Sequence, residues 1–88
     1  MKELGLERSL KALANRRRIG ILRHLKRVGE APVGEIAAAI HLSLKATSKH
    51  LGILTANDIV SRDQRGLQMF YSLTPNPKPP VKYITHLL

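Results

Sequence analysis

The stretch that decides the fold is IAAAIHLSLKATSKHLGIL, residues 36–54. Its spacing predicts a short helix, a tight turn at residues 41–43, and then a second helix. Ser43 suits the N-cap of that second helix, because a serine hydroxyl can accept a hydrogen bond from a free backbone amide in the first turn. Two helices joined by so short a turn form a helix-turn-helix, and we assign its second helix to Ser43–Asn57.

The second helix is predicted to have one inward and one outward face. Residues at positions i, i+4 and i+7 are expected to pack inward, and these are Thr47, Leu51 and Leu54. The outward face holds two cations, a hydroxyl and a glycine, which are Lys45, Ser48, Lys49 and Gly52. Such a face can approach a phosphate-rich surface closely, so Ser43–Asn57 is the candidate recognition helix for the major groove of DNA.

The charge of the chain points to the same partner. The 88 residues carry 15 Lys and Arg against 6 Asp and Glu, a formal net charge of +9. The predicted helix Arg16–Arg27 alone holds six cations and no anion. Cations at a helix start oppose the helix dipole, so phosphate contact explains Arg16 and Arg17 better than stability does. A merely solvated basic face is the alternative, since basic charge alone also suits membranes or acidic partners.

Composition limits the class of protein. The length allows one small domain, and with only 3% aromatic residues its core must be built from Leu, Ile, Val and Ala; dimerisation would bury further apolar surface. The absence of cysteine excludes disulfides and thiolate metal sites. No apolar run approaches the ~20 residues that span a bilayer, and the N-terminus lacks a signal-peptide pattern. We therefore expect a cytoplasmic protein without a membrane partner.

The sequence indicates neither an enzyme nor a bound cofactor. There is no Gly-rich phosphate loop, and the acidic residues are scattered. None of the four histidines pairs at i, i+3 or i+4 with another histidine or a carboxylate, the spacing that helical metal ligands need. Ser48 and His50 are two residues apart, so they point in different directions and cannot act as nucleophile and base. Catalytic residues and metal ligands are therefore both predicted to be absent.

Two further helices are predicted before the helix-turn-helix. Met1–Ala14 has amphipathic spacing and is either a dimerisation helix or an ordinary core helix. Asn15 offers an N-cap for the helix Arg16–Arg27. Gly29–Pro32 is predicted as a turn, with Pro32 as the first residue of the next helix.

The pattern after the recognition helix changes to that of a β-hairpin. Ile59–Asp63 and Gln68–Leu73 read as two short strands joined around Gln64–Gly66. Two strands directly after a helix-turn-helix form the wing of a winged helix. Its tip is predicted to contact the minor groove or phosphates through four side chains, which are Arg62, Gln64, Arg65 and Gln68.

A proline-rich spacer separates the hairpin from the C-terminal segment. Thr74–Pro80 contains four prolines and is expected to be stiff and extended. Val81–Leu88 is long enough for barely two helical turns, and it docks on the core, docks on a second subunit, or frays. We therefore predict a winged helix-turn-helix domain at residues 1–74 and a spacer with a short, possible dimer-docking segment at 75–88. The fold class is mainly α, with four helices and a two-stranded wing.

With these residues in place, the chain resembles the ArsR-type family of winged-helix repressors over about residues 8–74. LKALANRRRIGIL (residues 10–22) resembles the family's opening pattern LKALANPTRLRIL, and VGEIA (residues 33–37) resembles VGELA. LSLKATSKHL (residues 42–51) resembles LSQSTVSRHL, the family's most specific signature. Residues 59–60 and 66–73 resemble its GLV block and its G…YYRL wing. Four blocks in the family's order make the resemblance strong.

The resemblance implies a homodimer that binds a near-palindromic operator on double-stranded DNA and blocks transcription. It also implies DNA contacts for the matched positions of the recognition helix, namely Ser43, Leu44, Lys45, Ala46, Thr47, Ser48 and Lys49. His50 matches the family histidine and is expected to brace the helix. The cysteine metal site of many members is absent, because Gly29–Pro32 stands where those cysteines would be. A non-specific architectural DNA-binding protein and a winged-helix protein-interaction module are the alternatives.

Overall fold

The fold is a winged helix-turn-helix, seen in a computed structural model that describes residues 2–88. Within these residues five helices and three strands follow one another, which are α1 Glu3–Leu13, α2 Arg16–Val28, β1 Glu30–Pro32, α3 Val33–Ile40, α4 Leu44–Ala56, β2 Val60–Arg65, β3 Gln68–Leu73 and α5 Val81–Leu87. The predicted fold class is confirmed. The predicted count of four helices and two strands is wrong, because α5 and β1 are additional elements.

Side-chain caps set the start of two helices. The Oδ1 atom of Asn15 accepts hydrogen bonds from the backbone N–H groups of Arg17 and Arg18, at 2.9 and 3.1 Å. The Oγ atom of Ser43 accepts from the N–H of Ala46 at 3.1 Å. Both bonds satisfy amides that have no partner inside the helix. The predicted N-caps of α2 and α4 are therefore confirmed.

One apolar core lies beneath all the helices. Its residues come from every helix, from β1 and from the segment that enters β2, and they are Ala12, Leu13, Ile21, Leu22, Leu25, Ala31, Ile36, Leu51, Leu54, Ile59, Val60 and Val81. Within α4, Thr47, Leu51 and Leu54 are each 0% exposed. The inner face predicted from the i, i+4, i+7 spacing is confirmed, and it fixes the outward face of α4 toward solvent.

The segment before α3 is a strand and not the predicted turn. β1 pairs with β3 in antiparallel register, with Ala31 opposite Tyr71, so the sheet has the order β1-β3-β2. Ala31 is 1% exposed, and the burial of its side chain stabilises the extended conformation of β1. Pro32 is the N-cap of α3 and not its first helical residue. A proline is tolerated here because β1 is an edge strand.

The hairpin turn is also displaced from its predicted position. Arg65 pairs with Gln68, which leaves Gly66 and Leu67 as a two-residue loop. Gly66 has a φ of 62°, and glycine adopts this left-handed conformation at little cost. Gln64 and Arg65 therefore belong to β2 and not to the turn, and alternate residues of β2 point to opposite faces of the sheet.

The C-terminal segment docks on the core of its own chain. Val81 is 6% exposed, and Ile84 and Leu88 pack against the core as partly buried residues. The Nζ atom of Lys26 donates a hydrogen bond to the carbonyl of His86 at 3.1 Å, which ties α5 to α2. Of the three outcomes left open for this segment, docking on the same chain is the one observed. No helix within residues 2–88 is long and apolar enough to cross a membrane.

Candidate nucleic-acid interface

The outward face of α4 presents most of the predicted DNA contacts. Exposed residues line its first two turns, and they are Ser43, Leu44, Lys45, Ser48 and Lys49. Ala46 is half-buried. Thr47 is fully buried, so its inclusion among the DNA contacts is wrong. Its position one turn before Leu51 makes it part of the inner face.

The cations on this face have no acidic partner. Lys45 and Lys49 are four residues apart and lie on the same side of the helix. Neither takes part in an ion pair within residues 2–88. The sequence of α4 also contains no Asp or Glu. Both ammonium groups are therefore free to bind phosphates.

His50 and Arg18 join three helices beside this face. The Nη1 atom of Arg18 lies 3.2 Å from the Nδ1 atom of His50. The same guanidinium donates to the carbonyls of Ala12 at 2.6 Å and Lys11 at 3.1 Å, which are free carbonyls at the end of α1. This contact agrees with the predicted bracing role of His50. Sequence reasoning gave Arg18 no such role, since nothing local signals a partner 32 residues away.

The surroundings of His50 favour its neutral form. Burial is the main cause that lowers the pKa of His50 below its ordinary value of 6.5. The positive charges of Arg18, Lys49 and Arg17 lower the pKa further. An arginine can only donate, so Nδ1 of His50 acts as the acceptor, which requires a neutral ring. The positive charge of Arg17 therefore lies close enough to α4 to act on His50.

The predicted wing residues divide between two faces of the sheet. In the observed register, Arg65 lies on the same face as Asp63 and Phe70, whereas Arg62 and Gln64 lie on the opposite face. The side chains of Arg62 and Gln68 make no hydrogen bond within residues 2–88. Arg62, Gln64 and Gln68 are exposed. These three residues remain available as DNA contacts.

Arg65 is bound within the protein. Its Nη1 and Nη2 atoms donate to the two carboxylate oxygens of Glu30 at 2.7 and 2.8 Å, and its Nε atom donates to Asp63 at 2.9 Å. The guanidinium carbon also lies 4.6 Å from the centroid of the Phe70 ring. Hydrogen bonding to Arg65 is the main cause that lowers the pKa of Glu30, and the two carboxylates raise the pKa of Arg65. The structure thus ties Arg65 to Glu30 of β1, and its contact with DNA stays a prediction.

Two features of the wing and α2 complete the surface. Leu67 is fully exposed at the hairpin turn, a position that sequence reasoning missed because it placed the turn two residues earlier. Arg16 and Arg17 are exposed at the start of α2, and the Nη1 atom of Arg17 lies 3.4 Å from the carbonyl of Ile40. Within residues 2–88, no three His, Asp or Glu side chains form a cluster that could hold a metal ion.

Comparison with known proteins decides the family. Residues 15–62 match the family described as bacterial regulatory protein, arsR family, and this match includes α2, α3 and α4. The chain belongs to the ArsR family. It therefore carries the winged helix-turn-helix DNA-binding domain of these transcriptional regulators, and the resemblance drawn from its four sequence blocks is confirmed.

One similar protein is described as an activator of transcription. The chain is 38% identical over 65 residues to the transcriptional activator HlyU of Vibrio cholerae, which is 74% of this chain but only 59% of HlyU. The chain thus spans less than two thirds of that relative. The structure of reduced HlyU from Vibrio cholerae has a TM-score of 0.79 and 34% identity, covering 97% of this chain and 85% of that one.

Two other solved structures are similar over most of the chain. One is the homodimeric winged helix-turn-helix DNA-binding domain Mb0332 from Mycobacterium bovis, with a TM-score of 0.78 and 30% identity, covering 94% of this chain and 70% of that one. The other is the transcriptional repressor BigR from Xylella fastidiosa, with a TM-score of 0.75 and 29% identity, covering 89% of this chain and 74% of that one.

Proposed function

We propose that this ArsR-family chain is a sequence-specific, dimeric regulator that represses transcription from a near-palindromic operator. In this proposal Ser43–Asn57 enters the major groove and the wing Arg62–Gln68 contacts the flanking groove. The observation that carries the proposal is the outward face of α4. Its two lysines have no acidic partner, while its inner face is fixed by three fully buried residues.

Exposed apolar side chains on α1 and α5 support a dimer. Leu4 and Leu10 of α1 are 58% and 47% exposed, and Tyr83 and Leu87 of α5 are 64% and 78% exposed. A second copy that covered these residues would bury apolar area that a single small core lacks. Mb0332, which is similar in structure, is described as homodimeric. We therefore propose α1 and α5 as the dimer elements.

The division at residue 74 is proposed as one of function and not of packing. Residues 1–74 would hold every DNA contact, and residues 75–88 would serve the dimer. Val81 nevertheless belongs to the common core, so α5 is held to the DNA-binding part by apolar burial. A shift of α5 at the dimer interface would consequently be felt by α2, on which α5 rests.

Repression is proposed over activation because it needs only occupancy of the operator. BigR is described as a repressor, whereas HlyU is described as an activator. A reporter gene placed behind the selected operator distinguishes the two. Expression that falls when the protein is supplied supports repression, and expression that rises contradicts it.

We propose no catalytic role, since every one of the six carboxylates is exposed.

One observation favours the alternative of non-specific architectural binding. Leu44 is 58% exposed on the reading face of α4, where it cannot form hydrogen bonds to base edges. An architectural protein would bind all sequences alike and lose affinity steeply with salt. A protein-interaction module would bind little DNA at about 150 mM salt.

Selection of bound sequences from a random duplex pool at about 150 mM salt tests the proposal. The expected result is an inverted repeat whose half-sites lie about 34 Å apart, one turn of B-DNA. Binding to that repeat should exceed binding to bulk DNA by ~10³-fold or more. Recovery of DNA without a motif would instead identify an architectural protein. Retention of no DNA would move the assignment to an interaction module.

A further inference from the structure

A basic groove runs between α2 and the end of α3, next to the reading face of α4, and it shares Arg16 and Arg17 with the surface proposed for DNA contact. Its volume is about 390 Å³. Six basic side chains line it, and they are Arg16, Arg17, Arg23, His24, Arg27 and His41. Arginines at positions 16, 23 and 27 share one face of α2, since these positions follow the helical spacing i, i+7 and i+11. We refer to these six residues and the space between them as the arginine groove.

None of the four arginines in the groove has an anionic partner within residues 2–88. The ion pairs within these residues lie on α1, within the wing, and between the wing and β1. Two of the four contact neutral acceptors instead. Arg17 faces the carbonyl of Ile40 at 3.4 Å, and Arg27 faces Nδ1 of His24 at 3.1 Å. Four like charges around one cavity repel each other and raise the local concentration of anions. The groove therefore favours an anionic ligand.

The histidine beside these arginines is not arranged for stability. Because an arginine can only donate, the bond from Arg27 makes Nδ1 of His24 the acceptor and leaves the proton on Nε2. That Nε2 atom is buried and has no hydrogen-bond partner, and His24 is only 9% exposed. A buried donor without a partner lowers the free energy of unfolding. The buried Nε2–H group of His24 thus costs stability at the wall of the groove.

Glycine at position 20 keeps the groove open. A Cβ atom there would lie 3.5 Å from Cγ2 of Ile40, which is ordinary contact, so α2 and α3 approach closely at this point. Gly20 lines the groove, so a longer side chain at this position would take up part of its volume. The groove can therefore be filled without removal of any charge.

We propose that the arginine groove binds phosphate groups. A guanidinium pairs with a phosphate through two parallel hydrogen bonds, and four guanidinium groups can hold more than one phosphate. The volume of the groove lies in the range of small-molecule clefts, about 300–1,000 Å³. The phosphates come either from a free phosphorylated molecule or from the DNA backbone next to the half-site. The DNA source rests on the proposed function. His41 lines the groove and lies in the turn before α4, so the groove adjoins the proposed recognition helix.

Two variants and one control test this proposal in the full-length chain. Arg23→Gln/Arg27→Gln removes two groove charges and keeps side-chain length and helix propensity. Gly20→Leu fills the groove and keeps every charge. Arg8→Gln/Lys78→Gln is the control, since it removes two exposed cations that lie outside the groove. Thermal unfolding of each variant shows whether the fold is kept.

Calorimetric titration with inorganic pyrophosphate at low salt tests the free-phosphate source. We expect the wild type and the control to bind pyrophosphate alike. Both groove variants should bind it about ten-fold or more weakly. Arg23→Gln/Arg27→Gln loses two charge-assisted hydrogen bonds, and Gly20→Leu occupies the space that the ligand needs. If the control loses as much affinity as Arg23→Gln/Arg27→Gln while Gly20→Leu loses none, the binding reflects net charge alone and the groove is not a pyrophosphate site.

Duplexes of two lengths test the DNA source. One carries only the selected operator, and the other extends it by about half a helical turn on each side. We expect the wild type and the control to gain affinity from the extension, and both groove variants to lose that gain while they still prefer the operator sequence. For the longer duplex, the slope of log affinity against log salt should flatten in Arg23→Gln/Arg27→Gln by about 1.8, or 0.9 for each of two phosphate contacts.

Unchanged pyrophosphate binding together with an unchanged gain from the extension, in both groove variants, would overturn the proposal. A wild type that shows neither effect would overturn it as well. Failure of the proposed function has a different signature, which is the absence of any preferred duplex in the wild type. In that case the pyrophosphate titration still decides whether the groove binds phosphate.

Discussion

The recognition helix α4 and the β2–β3 wing are both basic elements of the proposed DNA surface, but the protein holds their charges differently. α4 rests on three fully buried residues and points two lysines without acidic partners to solvent. In the wing only Val60 is fully buried, and Arg65 is bound by two carboxylates and lies over Phe70. A cation in the sequence is therefore not equivalent to a cation available for DNA.

The difference in how the charges are held also separates the residues proposed to bind DNA from those that position the wing. The lysines of α4 can lose their hydration to a phosphate without breaking a bond inside the protein. Arg65 would first have to leave Glu30 and Asp63, so its present contacts hold the wing to β1. We infer that α4 supplies most of the binding free energy and that the sheet fixes where the wing stands.

The largest expected effect concerns the packing side of this comparison. Leu51→Ala removes a side chain that is 0% exposed beneath α4, and we expect a loss of about 2–5 kcal/mol in the free energy of unfolding. Met69→Ala in the half-buried wing should cost clearly less. Urea unfolding at one fixed protein concentration measures both. Equal losses would show that the wing is anchored as firmly as α4.

The next effect concerns the free cations of α4. Lys45→Ala/Lys49→Ala should weaken binding to all duplexes by roughly ten-fold or more, because two charge-assisted contacts are lost. The slope of log affinity against log salt should flatten by about 1.8, or 0.9 for each phosphate. Arg8→Ala/Lys78→Ala is the matched control, with the same change in net charge. Unchanged affinity in the α4 variant would remove the recognition-helix assignment.

A smaller effect concerns the histidine that braces α4. Since burial lowers the pKa of His50 in the folded state, the unfolded chain binds more protons as the pH falls below about 6.5. Stability should therefore be full above that pH and decline through the window between 6.5 and the lowered pKa. His50→Asn should flatten this decline. Urea unfolding at about pH 7.5 and 5.5 measures it, and parallel declines in both proteins would exclude His50 as the cause.

The smallest effect concerns Arg65 and its ion pairs with Glu30 and Asp63, which we call the clasp. Arg65→Ala should change DNA affinity by no more than about three-fold, since exposed ion pairs and single surface contacts contribute little. Loss of all binding would make the wing, and not α4, the main contact. Electrophoretic mobility shifts at a fixed salt concentration suffice for this comparison.

The same clasp gives a second, pH-dependent test. The lowered pKa of Glu30 means that its contribution to stability is present above about 4.5 and is lost as the pH falls through the lowered value. The difference in thermal unfolding between the wild type and Glu30→Gln should shrink over that acidic window. A difference that stays constant would show that the carboxylate of Glu30 does not stabilise the wing.

The elements with strong local signals were predicted from the sequence. The N-caps Asn15 and Ser43 and the inner face of α4 follow from rules that act over a few residues, and each was found. The likeness of four ordered blocks to one family was equally readable. What decided these features lies within one or two helical turns of the chain.

The features that sequence reasoning missed depend on distant partners. β1 is three residues long and exists because the edge of β3 offers it hydrogen bonds and a buried place for Ala31. The burial of Thr47 was readable from its spacing, yet the match to the family placed it among the contacts. Nothing near Arg65 in the sequence predicts Glu30 as its partner. Long-range pairing of this kind leaves no periodic signal.

The pairing of β1 with β3 sets the order in which the molecule can assemble. β2 and β3 close over two residues and can form within microseconds, whereas the ion pair between Glu30 and Arg65 joins residues that are 35 positions apart in the chain. That chain contains both helices of the helix-turn-helix, so the entropy of closing it is offset only after those helices have packed. We expect the wing to reach its final place last in folding and to leave it first in unfolding, while α4 is still formed.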